Sequence, residues 1–530
     1  MVNYQSNRQL SLSNFLLPFS GELKADNRWI KWANIIPWDN LANIYGKSFS
    51  DDLGRGSKDL RIEIGTLIIQ ELTGYTDREV ISQIQENPYL QYFLGFQEFT
   101  NKIVFDPSLL VTIRKRLNQE TIAEFTEQVA ICHKRTEKKS SKSKKPKDDS
   151  SKGKGDKKPK VSAEEKEPEN DGKPIKHNGE LIVDATAAEL QIPYPTDLGL
   201  LNEARLQSEK IIDLLWSLSS CKGNKPRTYR QNARTAYLVL SKKRRKSKKD
   251  IRKGIKQQLQ YLRRNIKVIK KLLSVVSLAT LKIALTRRDR TLINTIKLVY
   301  EQQLKMHKEK IRRIDHRIVN LYQPWVRPII RGKSGKNVEF GPKLSVSLVD
   351  GITYVDKFSW EAFNESTHLQ DQVEKYYKRN GFYPETVIGD MIYGNRKNRQ
   401  YLKSLGICYS GKALGRPVQI TPENKKELAT QKKRRKAEQC RRNRIEGCFG
   451  VGRRRYSLGQ VRTRLKETSE AKICMAFFAM SLMAYFAITF FVLKQKLSQS
   501  FQIPFNRVYQ RIFSQFYRKY INCDLLGIAI

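Results

Sequence analysis

The spacing of apolar residues changes period several times along the chain, and the changes divide it. From Leu60 to Leu72 the period is helical, with Ile64, Leu67, Ile68 and Leu72 on one face. Gly74 can end that helix, and Thr76-Asp-Arg-Glu79 then forms a capping box: the Thr hydroxyl accepts from the third helical N–H while Glu79 reaches back. Val80, Ile81 and Ile84 make the buried face of the second helix. Two helices across a short Gly-containing turn fit a DNA-reading helix-turn-helix or a plain packed hairpin, and spacing by itself favours the hairpin. Residues 1–133 read as an all-α N-terminal domain.

From 134 to 177 the pattern disappears. Lys, Ser, Gly, Pro and acids alternate with almost no apolar side chain, so the stretch cannot offset its ordering entropy and reads as a disordered Lys-rich linker. It suits loose DNA affinity or a solubilising spacer equally.

Short apolar runs follow. Glu180-Leu-Ile-Val-Asp-Ala-Thr186 predicts a strand with a carboxylate near its end, and Leu190–Tyr194 a neighbour held to an edge by Pro193 and Pro195. Residues 202–330 turn helical again. Ile251, Ile255, Leu259, Leu262, Ile266, Ile269 and Leu273 step by three or four, as do Ile293, Ile296, Val299, Leu304, Ile311, Ile314, Ile318 and Leu321. These predict two long amphipathic helices in an antiparallel hairpin. Strands return at Lys343–Val349 and Ile352–Val355 around the hairpin turn Asp350-Gly351. A helix over Leu369–Arg379, a strand over Glu385–Asp390, a helix over Asn395–Leu405, a strand over Gly406–Ser410 and a basic helix over Lys425–Lys466 complete the alternation. The class is α/β: a core in two parts, 178–201 and 331–495, interrupted by the helical insertion and followed by a tail, 496–530. Ile473–Leu493 is apolar enough to span a bilayer or to lie buried against the sheet.

Charge changes the picture more than length does. The 530 residues carry 100 Lys and Arg against 53 Asp and Glu, a net charge of +47. From Lys222 to Gln323 there are 31 basic and 5 acidic residues, net +26, densest at Ser241–Lys249 with Lys242, Lys243, Arg244 and Arg245. Such an excess calls for a polyanion, nucleic acid first and an anionic membrane second. The 39% of hydrophobic residues excludes a wholly disordered chain. Seven Cys without a C-x-x-C, and five His, suggest neither a disulfide scaffold nor a zinc site. Met1–Ser20 has no signal-peptide pattern.

Three acids stand out against this basic background. Asp184 follows Leu181-Ile-Val183, and Asp390 follows Val387-Ile-Gly389, both where buried strands emerge. Glu446 flanks a helical face made by Ile445 and Phe449. Three carboxylates suit hard divalent ions, two of which can clamp the attacking and leaving oxygens of a phosphodiester. Asp197, Asp350 and Asp356 are rivals by position.

These stretches resemble the DDE transposases of bacterial insertion sequences. The likeness rests on Leu181-Ile-Val-Asp-Ala-Thr186, Val387-Ile-Gly-Asp-Met-Ile-Tyr-Gly-Asn-Arg396 and Arg444-Ile-Glu-Gly-Cys-Phe-Gly450, with Phe340–Ser345 and Ser410–Pro417 in support. The resemblance implies an RNase H-like mixed sheet with flanking helices, and Asp184, Asp390 and Glu446 as catalytic and metal-binding residues for two Mg²⁺ or Mn²⁺ ions. It implies cleavage at the element's ends and joining of a 3′-hydroxyl to double-stranded target DNA, carried out by a homodimer. The protein is then cytoplasmic and nucleoid-associated in a bacterium, without stable membrane insertion, and the apolar run is a helix covering the core sheet. The family's third-acid motif has a Tyr seven residues before the acid, an Arg four before and a Lys seven after; here those places hold Gln439, Arg442 and Arg453. Arg442 matches, Arg453 keeps the charge and Gln439 departs. Arg442 and Arg453 suit phosphate contact, and the segment Lys242–Arg245 suits a backbone grip. The N-terminal domain is expected to bind the element ends. The rival readings are a non-enzymatic basic nucleic-acid-binding protein, an inactive copy of an element and a membrane-associated polybasic protein.

Overall fold

The computed structural model describes residues 4, 11–17, 21–49, 56–142, 176–219, 224–330, 338–412, 414, 415, 419, 421, 422 and 424–500. Seven helices form the N-terminal part: α1 (Arg28–Ile35), α2 (Trp38–Gly46), α3 (Leu60–Thr73), α4 (Asp77–Glu86), α5 (Pro88–Phe93), α6 (Leu109–Arg116) and α7 (Gln119–Lys142). Gly74 takes a left-handed conformation, φ 78°, and ends α3. The capping box forms as the spacing predicts, Thr76 N–H donating to Glu79 Oε2 at 2.8 Å and Glu79 N–H to the Thr76 hydroxyl at 3.3 Å. The pair is a packed hairpin. Helix α3 is buried on every side, its Arg61, Glu63, Gln70 and Glu71 included, so the one-faced pattern understates its burial. The outer face of α4 carries Arg78, Glu79, Ser82 and Glu86, a mixed-charge surface poorly suited to phosphates. Helix α7 continues to Lys142, past the expected linker start at 134; the remainder of that stretch, 143–175, lies outside the described residues.

Strand β1 (Glu180–Ala187) is followed by α8 (Asp197–Leu218), α9 (Arg230–Lys242), α10 (Lys248–Val275), α11 (Leu278–Ala284) and α12 (Arg287–Glu309). The insertion is a bundle rather than a two-helix hairpin. Leu201, Ile212 and Leu215 of α8 share one core with Leu259 and Leu262 of α10 and Ile296 and Val299 of α12. Lys310 turns left-handed, φ 57°, and ends α12 short of the predicted Leu321; Ile318 and Leu321 still enter the core from an irregular segment.

Beyond the insertion come β2 (Pro328–Ile330) and β3 (Val338–Phe340), which pair with each other, then β4 (Lys343–Val349) and β5 (Ile352–Ser359). Asp350 and Gly351 both have positive φ, 51° and 84°, as a tight turn between twisted antiparallel strands requires. Then follow α13 (Leu369–Asn380), β6 (Thr386–Ile388), α14 (Arg396–Ser404), β7 (Cys408–Tyr409), α15 (Lys425–Arg455) and α16 (Lys466–Ser500). The main sheet has the order β5-β4-β1-β6-β7. Strand β1 runs antiparallel to β4 and parallel to β6; β5 is antiparallel to β4, and β7 parallel to β6. Leu190–Tyr194 is not a strand. Pro193 and Pro195 leave it no ladder, and it makes one bridge, Leu190 to Val461. The N–H groups of Glu189 and Gln191 donate to the carbonyls of Leu458 and Val461, and Val461 N–H returns to Glu189 O at 2.8 Å.

Helix α16 explains the apolar run. Its Cys474, Met475, Phe478, Leu482 and Phe486 enter the core of the N-terminal helices, and its Ile473, Ala476, Phe477 and Ala479 enter the core beneath the sheet. A helix apolar all round is one buried on several sides. It is long and apolar enough to cross a membrane, yet 72% of its most apolar stretch is buried within the fold. Ser481 receives Thr353 N–H at 3.0 Å, pinning α16 to β5. Lys472 reaches Glu71 of α3 at 2.6 Å, and burial pushes the Glu71 carboxyl upward while Lys472 opposes the shift. Lys472→Ala strands that buried carboxylate and is expected to cost about 3 kcal/mol in urea unfolding, whereas the Glu71→Leu/Lys472→Met double variant recovers most of the loss. Equal stability of the Lys472→Ala variant and the wild type would contradict the importance of the pair.

Candidate active site

Sheet register alone brings two of the three acids together. Ile182 of β1 lies opposite Ile388 of the parallel β6, so Asp184, still within β1, and Asp390, just past the end of β6, each two residues further on, come side by side. Gly389 keeps this approach close: a Cβ would stand 3.0 Å from Val183 Cγ2 and 3.3 Å from the Tyr393 ring, and those side chains would have to shift. Helix α15 lays Ile445, Cys448 and Val451 on the core, which sets Glu446 half-exposed on its flank, as the helical spacing predicts.

All three carboxylates converge on one guanidinium. Arg442 Nη2 lies 2.7 Å from Glu446 Oε1 and 3.8 Å from Asp184 Oδ2, and its Nη1 lies 3.9 Å from Asp390 Oδ1. The acids differ in exposure: the Asp184 side chain is 13% exposed, those of Asp390 and Glu446 50% and 49%. Burial pushes the Asp184 carboxyl up to about 6; the charges of Glu365 and Glu446 push the same way, while Ala185 N–H and Arg442 oppose. Ala185 N–H donates to Asp184 Oδ1 at 2.8 Å and Met391 N–H to Asp390 Oδ1 at 2.7 Å. Among the described residues no three His, Cys, Asp or Glu side chains are grouped closely enough to hold an ion as they stand. The donor set is nevertheless all carboxylate oxygen, the chemistry Mg²⁺ selects. Arg442 Nε is buried without a hydrogen-bond partner among the described residues, so the carboxylates themselves are what hold this guanidinium.

The rival acids are engaged elsewhere. Asp197 pairs with Arg317 at 2.6 Å, Asp356 with Arg379 at 3.2 Å, and Asp350 sits in the hairpin turn. Arg453, two turns beyond Glu446 on α15, lies 3.4 Å from Glu339 and from Ala187 O. Lys242 ends α9; Lys243, Arg244 and Arg245 follow it, and all but half-buried Ser241 of the segment 241–249 is exposed, with Lys243 paired to Asp250 at 2.6 Å. Gln439, at the place of the motif's Tyr, lies exposed on α15.

Two residues beside the site have no mark in the one-dimensional pattern. Glu365 opens a short 3₁₀ turn, Glu365–His368, and pairs with Lys343 at 2.8 Å. Asn398, buried on α14, donates from one amide nitrogen to Ser366 O at 2.7 Å and Tyr393 O at 2.9 Å. That clamp ties the Glu365 turn to the turn Met391–Tyr393, which Asp390 caps. Only the Asn395 N-cap, whose Oδ1 receives Asn398 N–H at 2.8 Å, hints at it in the sequence. Asn398→Asp sets an oxygen against both carbonyls and is expected to lower unfolding stability by about 2–4 kcal/mol in urea titration. A change below about 0.5 kcal/mol would show that the clamp is dispensable.

Comparison with known proteins bears on this geometry. A family model described as a transposase DDE domain matches residues 387–483, and one described as a transposase domain (DUF772) matches residues 18–116. The first takes in Asp390, Arg442, Glu446 and Arg453; Asp184 lies outside both. Over 96 residues, 18% of this chain, the sequence is 30% identical to "Uncharacterized protein ORF8 in nfe locus" of Rhizobium meliloti. The aligned stretch spans 46% of that relative's length. No solved structure shows a significant match. The two domain matches, one on the N-terminal helices and one on the stretch that carries Asp390 and Glu446, support placing the chain among the DDE transposases of insertion sequences.

Proposed function

We propose that the protein cuts DNA at the ends of an insertion sequence and joins the freed 3′-hydroxyl to target DNA, with Asp184, Asp390 and Glu446 holding two Mg²⁺ or Mn²⁺ ions. The observation that carries the reading is the convergence of these three carboxylates, from two parallel strands and one helix, on the single guanidinium of Arg442. The sheet order β5-β4-β1-β6-β7, antiparallel on one side of β1 and parallel on the other, supports an RNase H-like core with α8–α12 inserted between β1 and β4. The bound ions would supply activation of the attacking oxygen and neutralisation of the leaving one.

The chain's own residues do the rest. Asp184, the most buried of the three acids, would hold metal together with Asp390 and Glu446. Asp390 and Glu446, half-exposed, face the solvent from which a DNA strand arrives. Arg442 neutralises the acids in the absence of metal; once they bind cations it is free to turn its fork to a phosphate. Arg453, 3.4 Å from Glu339 near the end of α15, keeps a positive charge there that suits a phosphate. The insertion grips the duplex through backbone charge, and Lys242, Lys243, Arg244 and Arg245 form the densest part of that surface. Bacterial nucleoid DNA is then the working partner, and a homodimer pairs two element ends.

With DNA carrying the flanking terminal repeats, Glu446→Gln is expected to bind as wild type does while Mg²⁺-dependent nicking falls by at least about 100-fold. Nicking by Glu446→Gln at the wild-type rate would refute the assignment; binding without nicking by the wild type would favour the non-enzymatic alternative. Replacing Lys242, Lys243, Arg244 and Arg245 by Ala is expected to flatten the log–log dependence of affinity on salt by about 1 for each phosphate that the variant no longer neutralises. An unchanged slope would place the DNA on another face.

A further inference from the structure

Helix α11 joins α10 to α12 and is the one helix of the insertion without a buried residue. Leu281 and Leu285 pack it onto the bundle core. Leu278, Ala279, Lys282 and Ile283 are all exposed. Ile283 is 88% and Leu278 78% exposed, the two most exposed large hydrophobic side chains among the described residues. A single exposed Leu needs no explanation. Two on one seven-residue helix, with exposed Ala279 beside them, leave an apolar spot with no cover among the described residues, which suits a contact surface.

The surrounding charge identifies the occupant. From Arg263 to Arg290 the chain has nine Lys and Arg, every one exposed, and a single acid, net +8. That acid, Asp289, is spent on capping α12 with Thr286. A second copy would bring the same positive field against this one. A membrane would take up an apolar face far larger than two side chains. A duplex offers both what the rim needs and what the apolar pair needs: phosphates outside, and a stack of bases that an aliphatic side chain can enter.

We infer that Leu278 and Ile283 act as a wedge, entering a base step of duplex DNA and kinking it while the surrounding cations hold the two phosphate backbones. The inference rests on the reading that the protein handles duplex DNA. The cost of unstacking is offset by the extra backbone drawn against the basic bundle.

The test uses the full chain, a terminal-repeat duplex labelled at both ends for energy transfer, and 2-aminopurine placed at successive positions. Wild type is expected to shorten the end-to-end distance and to brighten 2-aminopurine at one step. Leu278→Ser/Ile283→Ser, which alters only exposed side chains, is expected to lose both signals and about tenfold in affinity for the linear duplex. Its affinity for a duplex pre-bent by a bulge, and its salt dependence, stay at wild-type values. Equal bending by variant and wild type overturns the wedge and leaves the DNA-handling reading standing; failure of the wild type to bind any duplex overturns both. Loss of vesicle binding or of self-association in the variant, with DNA bending intact, assigns the patch to a membrane or to a second copy and likewise overturns the wedge.

Discussion

The architecture depends on one helix having two cores to fill. Helix α16 is apolar around its circumference because the N-terminal helices press on one side of it and the sheet on the other. A globular helix with one exposed face would carry polar residues there; here Phe477 and Phe478, adjacent in sequence, point into different cores. The N-terminal helices and the sheet are therefore one packed body. The Glu71–Lys472 pair and the Thr353–Ser481 bond supply direction to contacts that hydrophobic burial alone leaves non-specific.

Electrostatics at the candidate site run opposite to those of the chain. In a sequence of net charge +47, three carboxylates gather around a single arginine. Asp184 shows this most clearly: burial, with Glu365 and Glu446, pushes its carboxyl upward, and Ala185 N–H and Arg442 only partly offset it. The surrounding rigid elements, two parallel strands and a helix anchored by Ile445 and Val451, make the crowding unavoidable.

Much of this was legible one residue at a time. The strand end at Asp390, the Asp-Gly turn, the capping box at Thr76 and the flank position of Glu446 all follow from local rules of period, cap and turn, whereas Asp184 lies inside a strand that continues to Ala187. What the sequence hid are relations between distant segments. Nothing local shows that Arg442 meets three acids rather than one, that Glu365 enters the field of Asp184, or that Asn398 bridges two turns. Period misleads where burial is not one-faced: α3 is buried all round, and the apolar spacing from Ile311 to Leu321 persists although the helix ends at Lys310. The membrane-like run has the same origin, because composition cannot distinguish lipid from a second protein core.

The backbone staple between residues 189–191 and 458–461 gives the insertion an unusual mechanical attachment. The chain departs for α8 immediately beyond the strand of Asp184, and at that point it is laced to the segment that follows the helix of Glu446. Gly341 lets the lacing close, since a Cβ there would stand 1.9 Å from Ala188 O. The approach to the bundle is thus joined, a few peptide units from each, to the strand of Asp184 and to the end of the helix of Glu446.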